Sequence, residues 1–341
     1  MDFIIARGYY GATNEEIYRE DVGTIEYIYD LDMQLGEDDD FSLTIDLEES
    51  KNINIGDYIY SEFTEFGGRI LSEEIVSKEN KNILKGETCR GLLKRTVISP
   101  PNGQEYLTVS GYFDDIVTML LARTGSELGY LFSVNYAPGY ESYYISSYQI
   151  RYISLYDAII GMLNTINCKL YVDNSRGTEK GLTFYISAQQ IVDFTNDFDF
   201  SQNTSTFFRI EDNEAGINTL ICLGGGVGVD RLVKILYFDG VNIVDVNPNI
   251  QKGLRRYGKY DNVNADTIEE LDEQAREYFL DLLSYKKTEI TEFETLYNLV
   301  VGDIVGAYDD ISKVTVSSPL ISKNLVISGS SQKINYKLEG E

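Results

Sequence analysis

The sequence predicts a mainly β protein with an α+β insert: two β-domains made from a duplicated unit, plus an inserted α/β domain. Three observations predict it. The 341 residues include 27 tyrosines and no tryptophan, and Ile, Val, Thr and Tyr cluster in short runs broken by Gly, Asn and Asp, which suits pleated, half-buried strands. Helical periodicity is confined to a few segments. One strand pattern occurs twice, once near each end of the chain.

Residues 1–98 read as the first β-domain, which strands near 205–240 would complete. "FSLTIDLE" (Phe41 to Glu48) alternates apolar and polar, and "DYIYSEF" follows Gly56. The turn Phe66-Gly67-Gly68 leads into "RILSEEIVSK", and Asn80-Lys81-Asn82 leads into "ILKGETC". Residues 99–204 read as the inserted α+β domain, with two amphipathic helices. One places Phe113, Ile116, Val117, Leu120 and Leu121 on a single face and stops near Gly125. The other starts at Ser154, with Asp157 completing an acidic variant of the capping box, and buries Leu155, Ala158, Ile159, Met162, Leu163 and Ile166. Residues 205–341 read as the second β-domain, interrupted by a helix over 267–287. There Thr267 and Glu270 form a capping box, Ile268, Leu271, Ala275, Phe279 and Leu282 line one face, and Lys286 and Lys287 complement the dipole at the C-terminal end. That face is expected to pack on the second β-domain.

The duplicated unit opens at Gly56-Asp57 with "GDYIYSEF" and again at Gly302-Asp303 with "GDIVGAYD". In both, a Gly-Asp turn feeds a strand, a second strand follows a short loop, and Ser-Lys with a nearby Asn (Ser77-Lys78, Ser322-Lys323) precedes a further apolar strand. Three chains around an axis would then present six similar β-units, a pseudo-six-fold ring.

The formal charge of −26 argues against binding nucleic acid or an anionic membrane surface. The absence of histidine removes Ser-His-Asp and Cys-His catalysis and His-ligated zinc. Cys89, Cys168 and Cys222 are widely spaced and read as reduced, buried thiols. The N-terminus lacks a signal-peptide pattern, and no stretch approaches the ~18 apolar residues of a membrane span, so a soluble, cytoplasmic start is expected.

The glycine-rich "ICLGGGVGVDR" (Ile221 to Arg231) raises the question of a phosphate loop. Val229 stands where the dinucleotide fingerprint needs its third small residue, and Gly-Lys-Ser/Thr is missing. The following "RLVKILYFDG" is strand-like, whereas both phosphate motifs need a helix N-terminus there. The loop therefore reads as a β-turn that uses glycine for its positive φ. The acidic runs "GEDDDF" (Glu37 to Asp40) and "DFTNDFDF" (Asp193 to Phe200) miss the Ca²⁺-loop spacing, and "DNSRGTE" fails it at Ser175 and Gly177. They read as solvated turns. No catalytic, cofactor-binding or metal-ligating residue is expected, and the chain is expected not to be an enzyme. "GLRRYGKYD" (Gly253 to Asp261) is the one basic cluster: Arg255, Arg256, Tyr257 and Lys259 read as a contact with an acidic protein subunit or as a local charge balance.

The order of these segments resembles the hub family of contractile and siphophage tails and of R-type bacteriocins. The segments are "GTIEYIYDL", "FSLTIDLE", "INIGDYI", "GRILSEEIVSKENKNILKGETCRGLLKRTVISPP", "FDDIVTMLLAR", "NTLICLGGGVGVDR", "GLRRYGKY" before a helix, and a closing "VGDIV". The resemblance implies a structural homotrimer that adapts the hexameric tail tube to the trimeric spike, with two tube-like β-barrel domains per subunit from a duplicated unit, here residues 1–98 and 205–341. Its implied partners are the tail tube protein, the spike protein, the tape-measure protein and other baseplate subunits, with no specific nucleic acid and no membrane insertion. It implies assembly in the bacterial cytoplasm and residence in a virion tail baseplate or a released phage-tail-like particle. In that family a glycine-rich turn ending in Arg joins two strands; an acidic residue common among those glycines is replaced here by Val227. A peptidase or glycosidase domain after the hub is not expected. The competing expectations are a host-surface polysaccharide-binding adhesin and a carboxylate-based glycosidase of a tail tip.

Overall fold

In the computed structural model, the structure describes residues 1–12, 16–124, 128, 131–134, 143–177, 180–195, 207–213, 216–239, 242–248, 255–280, 282–283, 285–291, 298–308 and 315–338. The chain divides into two compact units, one of Met1–Phe208 with Ile290–Glu339 and one centred on Arg209–Glu289.

The first unit is organised by a single 13-stranded sheet. Its N-terminal part consists of β1 (Phe3–Tyr10), β2 (Glu16–Ile25), β3 (Asp30–Leu35), β4 (Asp40–Asp46), β5 (Tyr58–Tyr60), β6 (Gly67–Val76) and β7 (Lys81–Thr88), all joined by antiparallel pairings in the spatial order β2-β1-β5-β6-β7-β4-β3. Period-two patterning decides their orientation. In β3 and β4, Leu31, Met33, Leu35, Phe41, Leu43 and Ile45 are buried while Asp30, Asp32 and Asp40 face water. A one-residue slip would exchange these two sets, so the register is strongly specified.

The inserted α+β region follows. It holds α1 (Cys89–Lys94), β8 (Val97–Ile98), β9 (Leu107–Tyr112), α2 (Phe113–Arg123), β10 (Phe132–Val134), β11 (Tyr144–Ile150), β12 (Ile153–Ser154), α3 (Leu155–Asn164), β13 (Cys168–Gly177) and β14 (Gly181–Gln190). Helix α2 buries Phe113, Ile116, Val117, Leu120 and Leu121, the five residues its spacing predicts. Ser154 caps α3: its Oγ accepts from Asp157 N–H at 2.9 Å and donates to Asp157 Oδ2 at 2.6 Å. The predicted α3 face is buried through Leu163, and Ile166 lies just beyond the helix, partly buried against the same core. Strands β13 and β14 form a ten-residue hairpin, and β14 joins the large sheet through Gly181 opposite Arg19.

The second half of the sheet comes from the far end of the chain: β21 (Ile304–Tyr308), β22 (Thr315–Ser328) and β23 (Ser331–Leu338). β22 pairs with β21, β23 and β3, so hydrogen bonds join both copies of the duplicated unit into one sheet. Leu325 and Ile327 of β22 enter the same core as Leu31, Met33 and Leu43. The span 205–341, expected as one domain, is thus divided. Its last strands complete the apolar face of the N-terminal sheet, while residues 209–289 build a core of their own.

The duplication extends to individual hydrogen bonds. Gly56 and Gly302 sit at φ +99° and +100°, a region that a residue with a Cβ enters only under strain. Asp57 N–H donates to Asn54 O and Asp303 N–H to Val300 O, each at 3.0 Å. The carboxylates return the bond: Asp57 Oδ2 accepts from Asn54 N–H at 2.8 Å and Asp303 Oδ2 from Val300 N–H at 2.9 Å. In both copies the glycine N–H and the aspartate O bracket one residue of the next strand, Ile70 or Leu320. The other carboxylate oxygen takes a cation from a preceding hairpin, Arg7 of β1 or Lys169 of β13. The Ser-Lys part of the echo does not superpose. Ser77-Lys78 lies in the turn after β6, whereas Ser322-Lys323 lies within β22, where Lys323 is buried against Glu65 at 3.0 Å.

Glu65 also receives Arg90 of α1 at 3.1 Å. The N-terminal strands, α1 and the C-terminal β22 therefore meet at one buried carboxylate. Arg90 donates as well to Leu170 O at 2.9 Å, and Lys323 to Asn298 Oδ1 at 2.7 Å. Such bonds are what make buried charges tolerable.

Candidate partner interface

The second unit contains a four-stranded sheet of order β18-β17-β16-β19, formed by β16 (Thr219–Leu223), β17 (Val233–Phe238), β18 (Ile243–Val244) and β19 (Tyr257–Asp261). Strands β15 (Phe207–Asn213) and β20 (Tyr285–Thr291) pair with each other. Helix α4 (Ile268–Leu280) covers one face of the four-stranded sheet, packing Leu271, Ala275 and Phe279 on Leu220, Cys222 and Leu236. The helix thus packs on strands of residues 219–261, within the span 205–341 expected to receive it. Thr267 Oγ1 accepts from Glu270 N–H at 3.2 Å, as its spacing predicts. The helix is shorter than expected: it ends at Leu280, and Tyr285–Thr291 is a strand, in which the β-favouring Tyr, Thr, Ile and Thr of "YKKTEIT" outweigh the dipole argument for Lys286 and Lys287. Ile268 is 37% exposed, at the edge of the buried stripe.

The other face of the sheet carries a second apolar set. Register places Val233 beside Leu223, Ile235 beside Ile221, and Tyr237 beside Thr219, with Asp261, Lys259 and Tyr257 of β19 completing the three rows. Val233, Ile235 and Tyr257 are exposed, and Ile221, Leu223 and Tyr237 are half-buried. Of the four residues expected to meet a partner, Tyr257 and Lys259 lie on this face. Lys259 is paired with Asp261 at 2.8 Å, and that pairing, followed by contact with Arg231, holds the Asp261 carboxyl below its usual range. Arg256 is tied inward: its Nε donates to Gly216 O at 2.6 Å and its N–H to Asn218 Oδ1 at 2.9 Å. Arg255 is half-buried, with a buried Nε that lacks a hydrogen-bond partner among the described residues. The structure therefore separates the cluster into two surface residues and two that bear on their own unit. Sequence reasoning missed Val233, Ile235 and Ile221. The available signal was that "LICL" and "LVKILYF" are nearly continuous apolar runs, which a sheet with one solvated face does not need.

The glycine loop closes one end of this sheet. Gly224 N–H donates to Leu232 O at 2.8 Å and Gly225 N–H to Ala265 O at 2.9 Å, while Gly225 O accepts from Leu232 N–H at 2.9 Å. Two of the N–H groups that would cradle a phosphate are committed to backbone carbonyls. Gly226 and Gly228 have φ +96° and +63°, and a Cβ on Gly226 would come within 2.5 Å of Asp230 O. One turn of 3-10 helix, Gly228–Asp230, leads straight into β17. Arg231 Nε donates back to Gly224 O at 3.0 Å, and its guanidinium pairs with Asp261. Val227 and Val229 stand exposed at the tip, 87% and 100%.

The other chemical candidates resolve into structural roles. Asp39 is buried, accepts Gly36 N–H at 2.7 Å and meets Lys94 at 2.7 Å, so part of the run Glu37 to Asp40 is a pinned turn. Burial and then the neighbouring carboxylates push Asp40 up. Asp193 accepts Thr195 N–H at 2.8 Å, and residues 196–200 of its run lie outside the described residues. Burial pushes the Cys89 thiol up to about 12 and Cys222 up to about 11, so both thiols stay protonated near neutral pH. Among the described residues no group of His, Cys, Asp or Glu is placed to hold a metal ion, and no helix is long and apolar enough to cross a membrane.

No protein-family model matches the chain. No curated protein matches it either. Solved structures do. A tail protein from Neisseria meningitidis MC58 aligns over 99% of this chain and 96% of its own at 14% identity and TM-score 0.51. The 43 kDa tail protein of prophage MuSo2 from Shewanella oneidensis aligns over 99% and 98% at 11% identity and TM-score 0.56. A chain of the p2 virion baseplate in its activated conformation aligns over 99% and 98% at 12% identity and TM-score 0.52. The chain has the mainly β fold of phage tail and baseplate proteins, with a small helical insert.

Proposed function

We propose that the chain is the structural hub of a phage or phage-tail-like baseplate, a homotrimer that adapts a hexameric tail tube to a trimeric spike. The observation that carries this reading is the pair of Gly-Asp turns, matched at the backbone, the carboxylate and its cation, within a sheet that hydrogen-bonds both copies together. A chain with two equivalent units supplies six from three subunits, which is the arithmetic a three-fold to six-fold adaptor requires. The fold shared with tail and baseplate proteins over 99% of the chain supports the same reading. Its partners are then the tail tube, spike, tape-measure and other baseplate proteins, its place is the tail baseplate, and its role is non-enzymatic. The second unit, with Tyr257, Lys259 and the Val233–Ile235 face, is the surface offered to those partners.

The deciding experiment is the mass of the purified chain in solution, alone and with tube and spike proteins. A trimer is expected. A chain that stays monomeric in every mixture overturns the hub reading, and binding to intact cells by that monomer would favour an adhesin.

A further inference from the structure

We propose that Asn102 is a modification site, where the folded protein forms a succinimide with Gly103 and deamidates, placing a carboxylate beside Arg123. Asn102 is the only asparagine followed by glycine in the sequence. Both residues lie exposed at the tip of the turn between β8 and β9, closed by Gln104 N–H donating to Pro101 O at 3.0 Å. Gly103 has φ +79°, and nothing stands within 4 Å of where its Cβ would be.

The chemistry is set by that geometry. The deprotonated backbone nitrogen of Gly103 attacks the side-chain carbonyl carbon of Asn102. The new C–N bond closes a five-membered ring, the bond to Nδ2 breaks, and the amide nitrogen takes a proton from water, replacing the one Gly103 N–H gave to hydroxide, and leaves as ammonia. Water then opens the ring at either carbonyl, giving aspartate or isoaspartate with no change of oxidation state. Folding usually suppresses this step in two ways: a following Cβ crowds the attack, or the attacking N–H is held in a hydrogen bond. Neither brake operates here, because glycine has no Cβ and its N–H has no hydrogen-bond partner among the described residues. Asn80 makes the contrast: Lys81 follows it, and its Nδ2 is held by Asp46 at 2.8 Å.

The change has a local consequence. Asn102 and Arg123 line the same cleft of about 340 Å³, with Val97 and Pro100. Arg123 is exposed and has no ion-pair partner among the described residues. A carboxylate at position 102 supplies an anion to that cleft, and the isoaspartate form also lengthens the backbone of the turn by one methylene.

The test is peptide mapping of the full chain after incubation in mildly alkaline buffer, folded and in denaturant, with isoaspartate detected by its methyltransferase. Conversion at Asn102 is expected to outrun every other asparagine, to rise with pH, and to proceed in the folded protein as fast as in the denatured one. Ion exchange should show a growing species one charge more negative. Asn102→Gln should abolish that species with an unchanged melting curve. An Asn102 peptide that is converted in denaturant but intact in the folded protein, or conversion no faster than at Asn80, overturns the proposal.

Discussion

Asp57 and Asp303 hold equivalent turns in unequal surroundings, and that inequality predicts different mutational costs. The Asp303 side chain is 2% exposed and its partner Lys169 5%, and it also accepts Val192 N–H at 3.0 Å. Asp303→Ala leaves a buried ammonium without its counter-charge, which costs about 3–5 kcal/mol. Arg7, opposite Asp57, is 31% exposed and can turn to water, so Asp57→Ala should cost distinctly less. Urea unfolding of both variants checks the order, and Lys169→Met added to Asp303→Ala should restore part of the loss. A second residue-scale expectation concerns pH. Burial acts to raise the Asp272 pKa, but hydrogen bonds from Lys234 and Arg276 outweigh it and hold the carboxyl below its ordinary value. A group depressed on folding contributes stability that is complete above the unfolded pKa of about 3.9 and is lost as pH falls through the folded value. Hydrogen exchange across residues 209–289 should accelerate in that acid window, and Asp272→Asn should remove this part of the pH dependence.

Among the elements, α4 separates buried from exposed positions sharply enough for one experiment. Leu271→Asp forces an unpaired charge against Leu220 and Phe279 and should cost several kcal/mol, while Ile268→Asp, at the solvent edge in the first turn, should be nearly neutral. Equal melting temperatures for the two would show that the helix does not bury this stripe. The three longer helices were legible because each combines a stripe at 3.6-residue spacing with polar or acidic residues in the first turn. Helix α1 was not legible, because Gly91 at its centre reads as a breaker. The structure gives that glycine a packing reason: a Cβ there would lie 2.4 Å from Asp39 O, so α1 can approach the β3–β4 turn only without one. Sequence patterns report the local preference of a segment, and this requirement comes from a partner some fifty residues away. The end of α4 failed for a related reason, since two lysines suit a helix C-terminus and a strand edge equally well.

At the scale of the whole molecule, the duplication was legible from two Gly-Asp pairs because a positive-φ glycine followed by a self-capping aspartate is a local device with a local spelling. The joining of the copies was not legible. It depends on β22 choosing β3 as its partner across nearly three hundred residues, and on Lys323 finding Glu65. The open face of the second unit was missed for the same reason, since two apolar runs do not state which of their faces a helix will cover. Assembly brings these features under one physical constraint. In the trimer proposed above, three copies of −26 would place a formal charge of −78 in one particle, and that repulsion would oppose association unless the charges lie away from the contacts. The described surface offers apolar ground in Val227, Val229, Val233 and Ile235, beside a carboxylate, Asp261, that Lys259 and Arg231 already pair, so burial there gains free energy without desolvating an unpaired charge. Trimer formation should therefore strengthen as salt rises and screens the remaining repulsion, opposite to the response of an assembly held by ion pairs. Val233→Lys with Ile235→Lys should weaken it at every salt concentration while leaving the melting of the first unit unchanged. Sedimentation of both proteins across a salt series measures this. Association that weakens with salt in the parent chain, or that survives both lysines, would place the contacts elsewhere.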